Sequence, residues 1–364
     1  MTARSSRPLV ALCYGTRPQI IKASVLRRAL QETASVRAVD TGQHYDFALN
    51  GLLYQQLGVD PPDHYLEVGS GSHAEQTAAV LIRVEALARE LQPDAVVVIG
   101  DTNSTLGCAL AAAKLRIPVA HVEAGLRAAD RMMPEEVNRR VTDAVAGLLC
   151  APSEAATRRL RQERPDATVI QTGDIARDVM MAQVAKLPPP GSAPASRGPS
   201  YVFATLHRAE LTARPEVLRA VLTTLAALPV PTVFAMHPRT RAALDAAGIA
   251  IPASGSLRVS AAVGYLESLT LIRDAAAVIT DSGGVQREAY WFGVPCVTLR
   301  TETEWVETVE LGANQLLAPA RVADHLPALI GELTDSPPQP WDRDAYGTGQ
   351  AAQRVATALA NWLA

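Results

Sequence analysis

Aromatic side chains make up only 4% of this 364-residue chain, and there are just four cysteines. Cys13, Cys108, Cys150 and Cys296 each sit inside an apolar run, and no two of them form a CxxC pair. Zinc-site and disulfide-framework spacings are therefore missing, and free thiols in a reducing compartment, the cytoplasm, are expected. Neither sign of charge dominates: 34 Lys and Arg face 37 Asp and Glu, a net charge of -3. That balance gives no basic field to gather nucleic acid, so any anion must be held by local groups. No apolar run approaches the ~20 residues of a membrane span. Near the start, "LVALCY" is too short for a signal peptide and runs into Gly15-Thr16-Arg17-Pro18. Metal ligation and membrane contact are both unexpected.

What the chain does contain is rhythm. Its length predicts two domains. Short runs rich in Val, Ile and Ala ("PLVALCY", "VRAVDTG", "DAVVVIG", "IPVAHVE", "LLCAP") alternate with longer helical patterns in the first half. The alternation predicts βαβ units and a parallel sheet. Residues 186–200, "KLPPPGSAPASRGPS", have the composition of a linker. The pattern then resumes with "YVFATLH", "PTVFAMH" and "AAAVITD". The expectation is an α/β protein of two Rossmann-like domains facing across a cleft. They span 1–185 and 201–345, and an amphipathic helix in 346–364 packs back on the first.

Ligands of open parallel sheets bind beyond the carboxyl ends of the strands, where loops converge over a rigid floor. The conspicuous polar residues of this chain fall at those ends. In the first half they are Arg17, Gln43-His44, Asp101 and Glu123; in the second, His207-Arg208, His237 and Asp281-Ser282-Gly283-Gly284. Asp101 has a second reading, because it or a residue after it in "DTNST" could cap the next helix. Pro134-Glu135-Glu136 likewise has the look of a helix start, with acids answering the positive end of the dipole. Glu123 has no such alternative: it ends a strand and precedes Ala124-Gly125, a turn of small residues open to close approach.

"ITDSGGVQREAYWFG" carries the clearest anion signal, a strand, then Ser282-Gly283-Gly284, then a helix. Glycines let backbone amides approach a phosphate, and the first helical turn presents N–H groups with a partial positive charge. Glu288, four residues beyond Gly284, is placed to reach a ribose diol. A rival motif, Gly69-x-Gly71-x-x-Ala74, mimics a dinucleotide fingerprint but lies outside the first βα unit. A mobile loop is the preferred reading there, and no cofactor is implied.

Taken together, "GTRPQIIKASVL", "TGQHYD", "GDTNSTLGCALAAAKLRIPVAHVEAGLR", "MPEEVNRRVTD", "HRAEL", "MHPRTR", "TDSGGVQREA" and "PCVTLRTETEWVETVELGAN" give the chain its resemblance. It resembles the non-hydrolysing UDP-N-acetylglucosamine 2-epimerases over nearly its whole length. The resemblance implies glycosyltransferase-B architecture, a homodimer, and a UDP-amino sugar as substrate. It also implies a reaction: anti elimination of UDP to a 2-acetamidoglucal, then re-addition with carbon 2 inverted, interconverting UDP-GlcNAc and UDP-ManNAc. By that likeness Asp101, Glu123, Glu135 and His207 are catalytic. The likeness also makes Arg17, Lys22, Ser282 and Glu288 substrate-binding and puts Gln43 and His44 in a regulatory or substrate loop, while the strand-tip reading adds Arg208, His237, Gly283 and Gly284 to the expected UDP-binding set.

Departures bear on the sugar. Trp305-Val306 stands where many members carry Arg-Pro, and Gln19 where many carry Glu. With "HRAE" and "GDTNSTL", these features resemble the branch acting on UDP-2,3-diacetamido-glucuronic acid. Epimerisation of that sugar is one alternative, and a hydrolysing enzyme releasing ManNAc and UDP is another.

Overall fold

A computed structural model describes residues 7–43, 54, 60–192, 200–335 and 340–364. The chain divides into two compact units, one of residues 1–181 and 345–364, the other of residues 182–344. Among the described residues the first unit holds seven strands: β1 (Leu9–Tyr14), β2 (Ser35–Asp40), β3 (His64–Tyr65), β4 (Ala95–Ile99), β5 (Val119–Val122), β6 (Leu148–Ala151) and β7 (Thr168–Gln171). All run parallel in the order β3-β2-β1-β4-β5-β6-β7. The second holds β8 (Val202–Thr205), β9 (Thr232–Met236), β10 (Leu257–Ala261), β11 (Ala277–Thr280), β12 (Cys296–Thr298) and β13 (Asn314–Leu316). These too are parallel, ordered β10-β9-β8-β11-β12-β13.

The strands are apolar along their length because both faces of a sheet covered by crossover helices are buried. Val10, Leu12, Val97 and Ile99 pack into one core of the first unit, and Ala11, Cys13, Val96 and Val98 into the other. The second unit repeats this, with Val202, Ala204 and Ile279 on one side and Phe203 and Val278 on the other. All four cysteines are buried and free. Among the described residues no helix is long and apolar enough to cross a membrane.

The tail helix, Ala351–Leu363, buries Ala352, Val355, Ala356 and Leu359 in the first unit's core. Its start is fixed by Asp178, whose carboxylate accepts from the Ala351 N–H at 3.0 Å and the Ala352 N–H at 2.9 Å.

In each sheet the strand order reverses between two central neighbours, β1 and β4 in the first, β8 and β11 in the second. Loops leaving such a pair diverge to opposite sides and leave a crevice at the carboxyl ends.

Candidate active site

At the first crevice β1 ends in Tyr14 and the chain turns through Gly15 into the helix Arg17–Gln31. A Cβ on Gly15 would lie 2.0 Å from Thr41 Oγ1 and 2.2 Å from Ser104 Oγ, so a side chain there has no room. Gln19 fastens this turn to the next strand tip. Its Oε1 accepts from the Gly15 N–H at 2.9 Å, and its Nε2 donates to the Ile99 carbonyl at 2.6 Å and to Thr102 Oγ1 at 3.0 Å. Gln43 is tied down similarly, its Oε1 accepting from the Ser104 N–H at 2.9 Å and from Ser104 Oγ at 2.7 Å. His44 lies outside the described residues.

The two readings of Asp101 separate here. Thr102 caps the helix Asn103–Lys114, accepting from the Thr105 N–H at 3.3 Å. Asp101 instead accepts from Arg139 Nε at 2.9 Å and Nη2 at 2.5 Å. Arg139 stands on the helix Pro134–Val145, which brings Glu135 into the same neighbourhood. Asp101 and Glu135 line one cavity of about 240 Å³ with Thr16, Gln43, His73 and Asn138.

The adjacent acids Glu135 and Glu136 part company. Glu135 is exposed, whereas Glu136 is fully buried, accepting from Arg140 Nε at 2.7 Å and from the Ala128 N–H at 2.9 Å. Arg139 Nη1 lies 3.4 Å from it. Glu136 is thus a buried counter-ion that holds the arginine facing Asp101. Helical spacing held the signal: Glu136, Arg139 and Arg140 stand at i, i+3 and i+4 in "PEEVNRR".

Glu123, which follows β5, is nearly buried and adopts φ 68°, the left-handed region that costs a non-glycine residue on the order of 1 kcal/mol. Lys22 Nζ lies 2.6 Å from its Oε1 and 2.7 Å from its Oε2. Glu123 is absent from the lining of the Asp101–Glu135 cavity. Gly100 connects them: it immediately precedes Asp101, and a Cβ on it would meet Glu123 Oε2 at 3.5 Å. Arg17 is exposed at the start of its helix.

Within the second crevice Asp281, fully buried, ties the β8 and β11 tips. It accepts from the His207 N–H at 2.9 Å and the Arg208 N–H at 2.8 Å. The His207 and His237 rings stand 5.1 Å apart. Burial pushes both imidazoles below their ordinary range, and neighbouring cations add to the effect. His237 also caps its own helix, accepting from the Arg239 N–H at 3.1 Å. The helix Gly283–Phe292 begins at Ser282, whose side chain makes no capping bond, and beside Gly284 the nearest atom to a Cβ would be Ser282 Oγ at 3.7 Å. An open helix start of this kind suits an anion. Glu288 is pushed up to about 7 by burial, against the pull of Arg287 and a Tyr265 hydrogen bond.

The rival glycine motif takes a different role. Ser72 caps the helix His73–Leu91, and Glu75 folds back to accept from the Ser72 N–H at 2.9 Å. A carboxylate already occupies the helix start, which repels a pyrophosphate. The motif also follows β3, at the sheet edge rather than at the order reversal.

Residues 28–360 match the profile of the UDP-N-acetylglucosamine 2-epimerase family. The chain belongs to that family. Within it, the chain is 40% identical over 356 residues to the UDP-2,3-diacetamido-2,3-dideoxy-D-glucuronate 2-epimerase of Pseudomonas aeruginosa, covering 95% of this chain and 98% of that one. It is 36% identical over 365 residues to the UDP-N-acetylglucosamine 2-epimerase of Methanocaldococcus jannaschii, covering 96% and 98%. The crystal structure of the latter in complex with UDP-GlcNAc and UDP superposes with a TM-score of 0.84 over 96% of this chain and 98% of that chain. The glycosyltransferase-like α/β fold expected from the motifs is the fold of these family members.

Asn103, Asn138, Arg139 and His73 were not singled out by sequence reasoning, yet they surround Asp101. Asn138 Nδ2 donates to the Asp101 carbonyl at 2.9 Å and to Asn103 Oδ1 at 3.2 Å. The two neutral amides give no periodic or motif signal of their own, whereas Arg139 carried the i, i+3 spacing from Glu136.

Proposed function

We propose that the protein inverts carbon 2 of a UDP-2-acetamido sugar, UDP-GlcNAc and UDP-ManNAc being the first pair, through elimination and re-addition of UDP. The observation that carries this reading is the convergence of Asp101 and Glu135 on one cavity, with the Glu123–Lys22 pair against the glycine before Asp101. Carbon 2 of such a sugar has no activating carbonyl. Its C–H bond is best broken as UDP departs and positive charge grows at the anomeric carbon, a charge that carboxylates favour. Asp101, Glu123 and Glu135 would stabilise that charge and carry the proton off and back. The second unit supplies the grip on the nucleotide: amides of Gly283 and Gly284, the hydroxyl of Ser282, the imidazole of His207 and the guanidinium of Arg208 for the diphosphate, with Glu288 for the ribose. Arg17 and Lys22 add positive charge from the first unit.

A second reading, UDP-2,3-diacetamido-glucuronate as substrate, is favoured by the 40% identity to the Pseudomonas aeruginosa protein. One experiment separates the two: incubation with a panel of UDP-amino sugars in deuterated water. The sugar that acquires carbon-2 deuterium and an epimer is the substrate, and accumulation of free UDP would identify a hydrolysing enzyme. No deuterium in any sugar would overturn the epimerase reading. A cytoplasmic homodimer is the proposed form, on the buried free thiols and the family resemblance.

A further inference from the structure

His121 lies in the middle of β5 with no solvent exposure, and neither the motifs nor the reaction above gives it a role. Its Nδ1 is 2.7 Å from Asp143 Oδ1 and its Nε2 is 2.8 Å from the Gly100 carbonyl oxygen. A backbone carbonyl only accepts, so Nε2 carries a proton. Asp143 also accepts from the Gly125 N–H at 3.1 Å and lies 2.7 Å from Arg127 Nη1. Oδ2 of Asp143 already takes the Arg127 guanidinium and the Gly125 N–H, which leaves Oδ1 as the acceptor facing Nδ1. With a carboxylate oxygen accepting there, Nδ1 is a donor as well.

We propose that His121 is a positioning residue of the epimerase site, a buried imidazolium that clamps the Gly100 carbonyl and sets positive charge beneath Asp101 and Glu123. The clamp matters because Gly100, at φ 68°, is the pivot between the two acids: Asp101 follows it and Glu123 Oε2 packs against it. The charged neighbours alternate in sign, with Glu136 4.0 Å from Arg127 Nε at one side. Asp143 comes from the helix Pro134–Val145, and Arg127 from the loop after β5 also reaches Glu163 at 2.5 Å. Arg164 reaches the Asp143 carbonyl, and Asp166 pairs with Arg164 at 2.7 Å. The cation therefore stands one peptide away from the acids while its own charge is balanced from behind.

This inference rests on the epimerase reading for its effect on rate, but not for the state of the ring. The first test counts protons by nitrogen-15 NMR on the full-length protein, with His121 assigned through its backbone. Both ring nitrogens protonated at pH 7 is the expected result, and a ring with one bare nitrogen overturns the proposal. The second test is His121→Gln, with carbon-2 deuterium uptake as the readout. Turnover should fall by about 10²-fold with KM and UDP affinity changed less than threefold, and the acidic limb of the pH–rate profile should move to higher pH, because a lost cation disfavours the ionised carboxylates. A folded variant with wild-type turnover and profile overturns it. Where the variant does not fold, or where the wild-type protein exchanges deuterium into no sugar, the proton count decides alone; in the second case the function proposal fails separately.

Discussion

The two units carry the same parallel sheet order around their central reversal, yet each furnishes its own crevice, and the chemistry differs. In the first, the tips of β4 and β5 bear Asp101 and Glu123, each matched to a cation, Arg139 and Lys22. In the second, the tips of β8 and β11 bear His207, Arg208 and an uncapped helix start at Ser282. Shared topology places a ligand; the side chains decide what happens to it. On the proposed function, the first unit would hold and move protons near developing positive charge, and the second would hold an anion still.

That division can be broken by separating turnover from binding. Glu123→Gln and Asp101→Asn should each lower deuterium exchange by about 10²- to 10⁴-fold, the range of general acid–base contributions. UDP affinity by calorimetry should hold; a parallel loss of UDP binding would mean that these two acids themselves bear on the nucleotide. Next in size is a contrast between neighbours. Glu136→Gln leaves Arg139 and Arg140 short of a buried partner and should cost about 3–5 kcal/mol of stability in denaturant melts. Glu135→Gln, at an exposed position, should cost almost none while reducing turnover. Equal stability losses would undo the assignment of one acid to structure and the other to chemistry.

Smaller effects sharpen the anion side. Gly284→Ala adds a methyl group that meets only Ser282 Oγ, at an ordinary contact distance of 3.7 Å, so the fold should tolerate it while UDP binding weakens about tenfold, roughly 1.4 kcal/mol. Unaltered affinity would move the phosphate away from this helix start. The smallest is a slope. Because burial raises the Glu288 carboxyl from its ordinary value of 4.5 to about 7, the folded protein holds more protons than the unfolded chain across that window. This group's contribution to stability is complete below about pH 4.5 and is lost as pH rises through about 7, by no more than about 1.4 kcal/mol per pH unit. Glu288→Gln should flatten that part of the stability–pH curve, and an unchanged slope would relocate the titration.

Much of this could be read in advance. Eight of the strands follow the apolar runs quoted from the sequence, because sheets buried on both faces demand unbroken apolar stretches. The strands that escaped were short or exposed: β3 has two residues, β7 and β10 are largely exposed at their sheet edges, and β12 and β13 have three each. In the site, Asp101 and Glu123 stood out because acids interrupt apolar runs at strand ends. The choice between capping and chemistry for Asp101 needed Thr102 in place, and the parting of Glu135 from Glu136 needed the helix packed against Ala128.

By itself, then, the sequence determined the layout: which segments lie inside a sheet, where its ends fall, and which acids and glycines wait there, since burial and turn geometry act on residues close in the chain. Only the tertiary structure decided the partners. Arg139 with Asp101, Lys22 with Glu123, and His121 with both Asp143 and Gly100 join positions 21 to 101 residues apart, and no local rule of hydrogen bonding or charge reaches across such separations until packing has closed them.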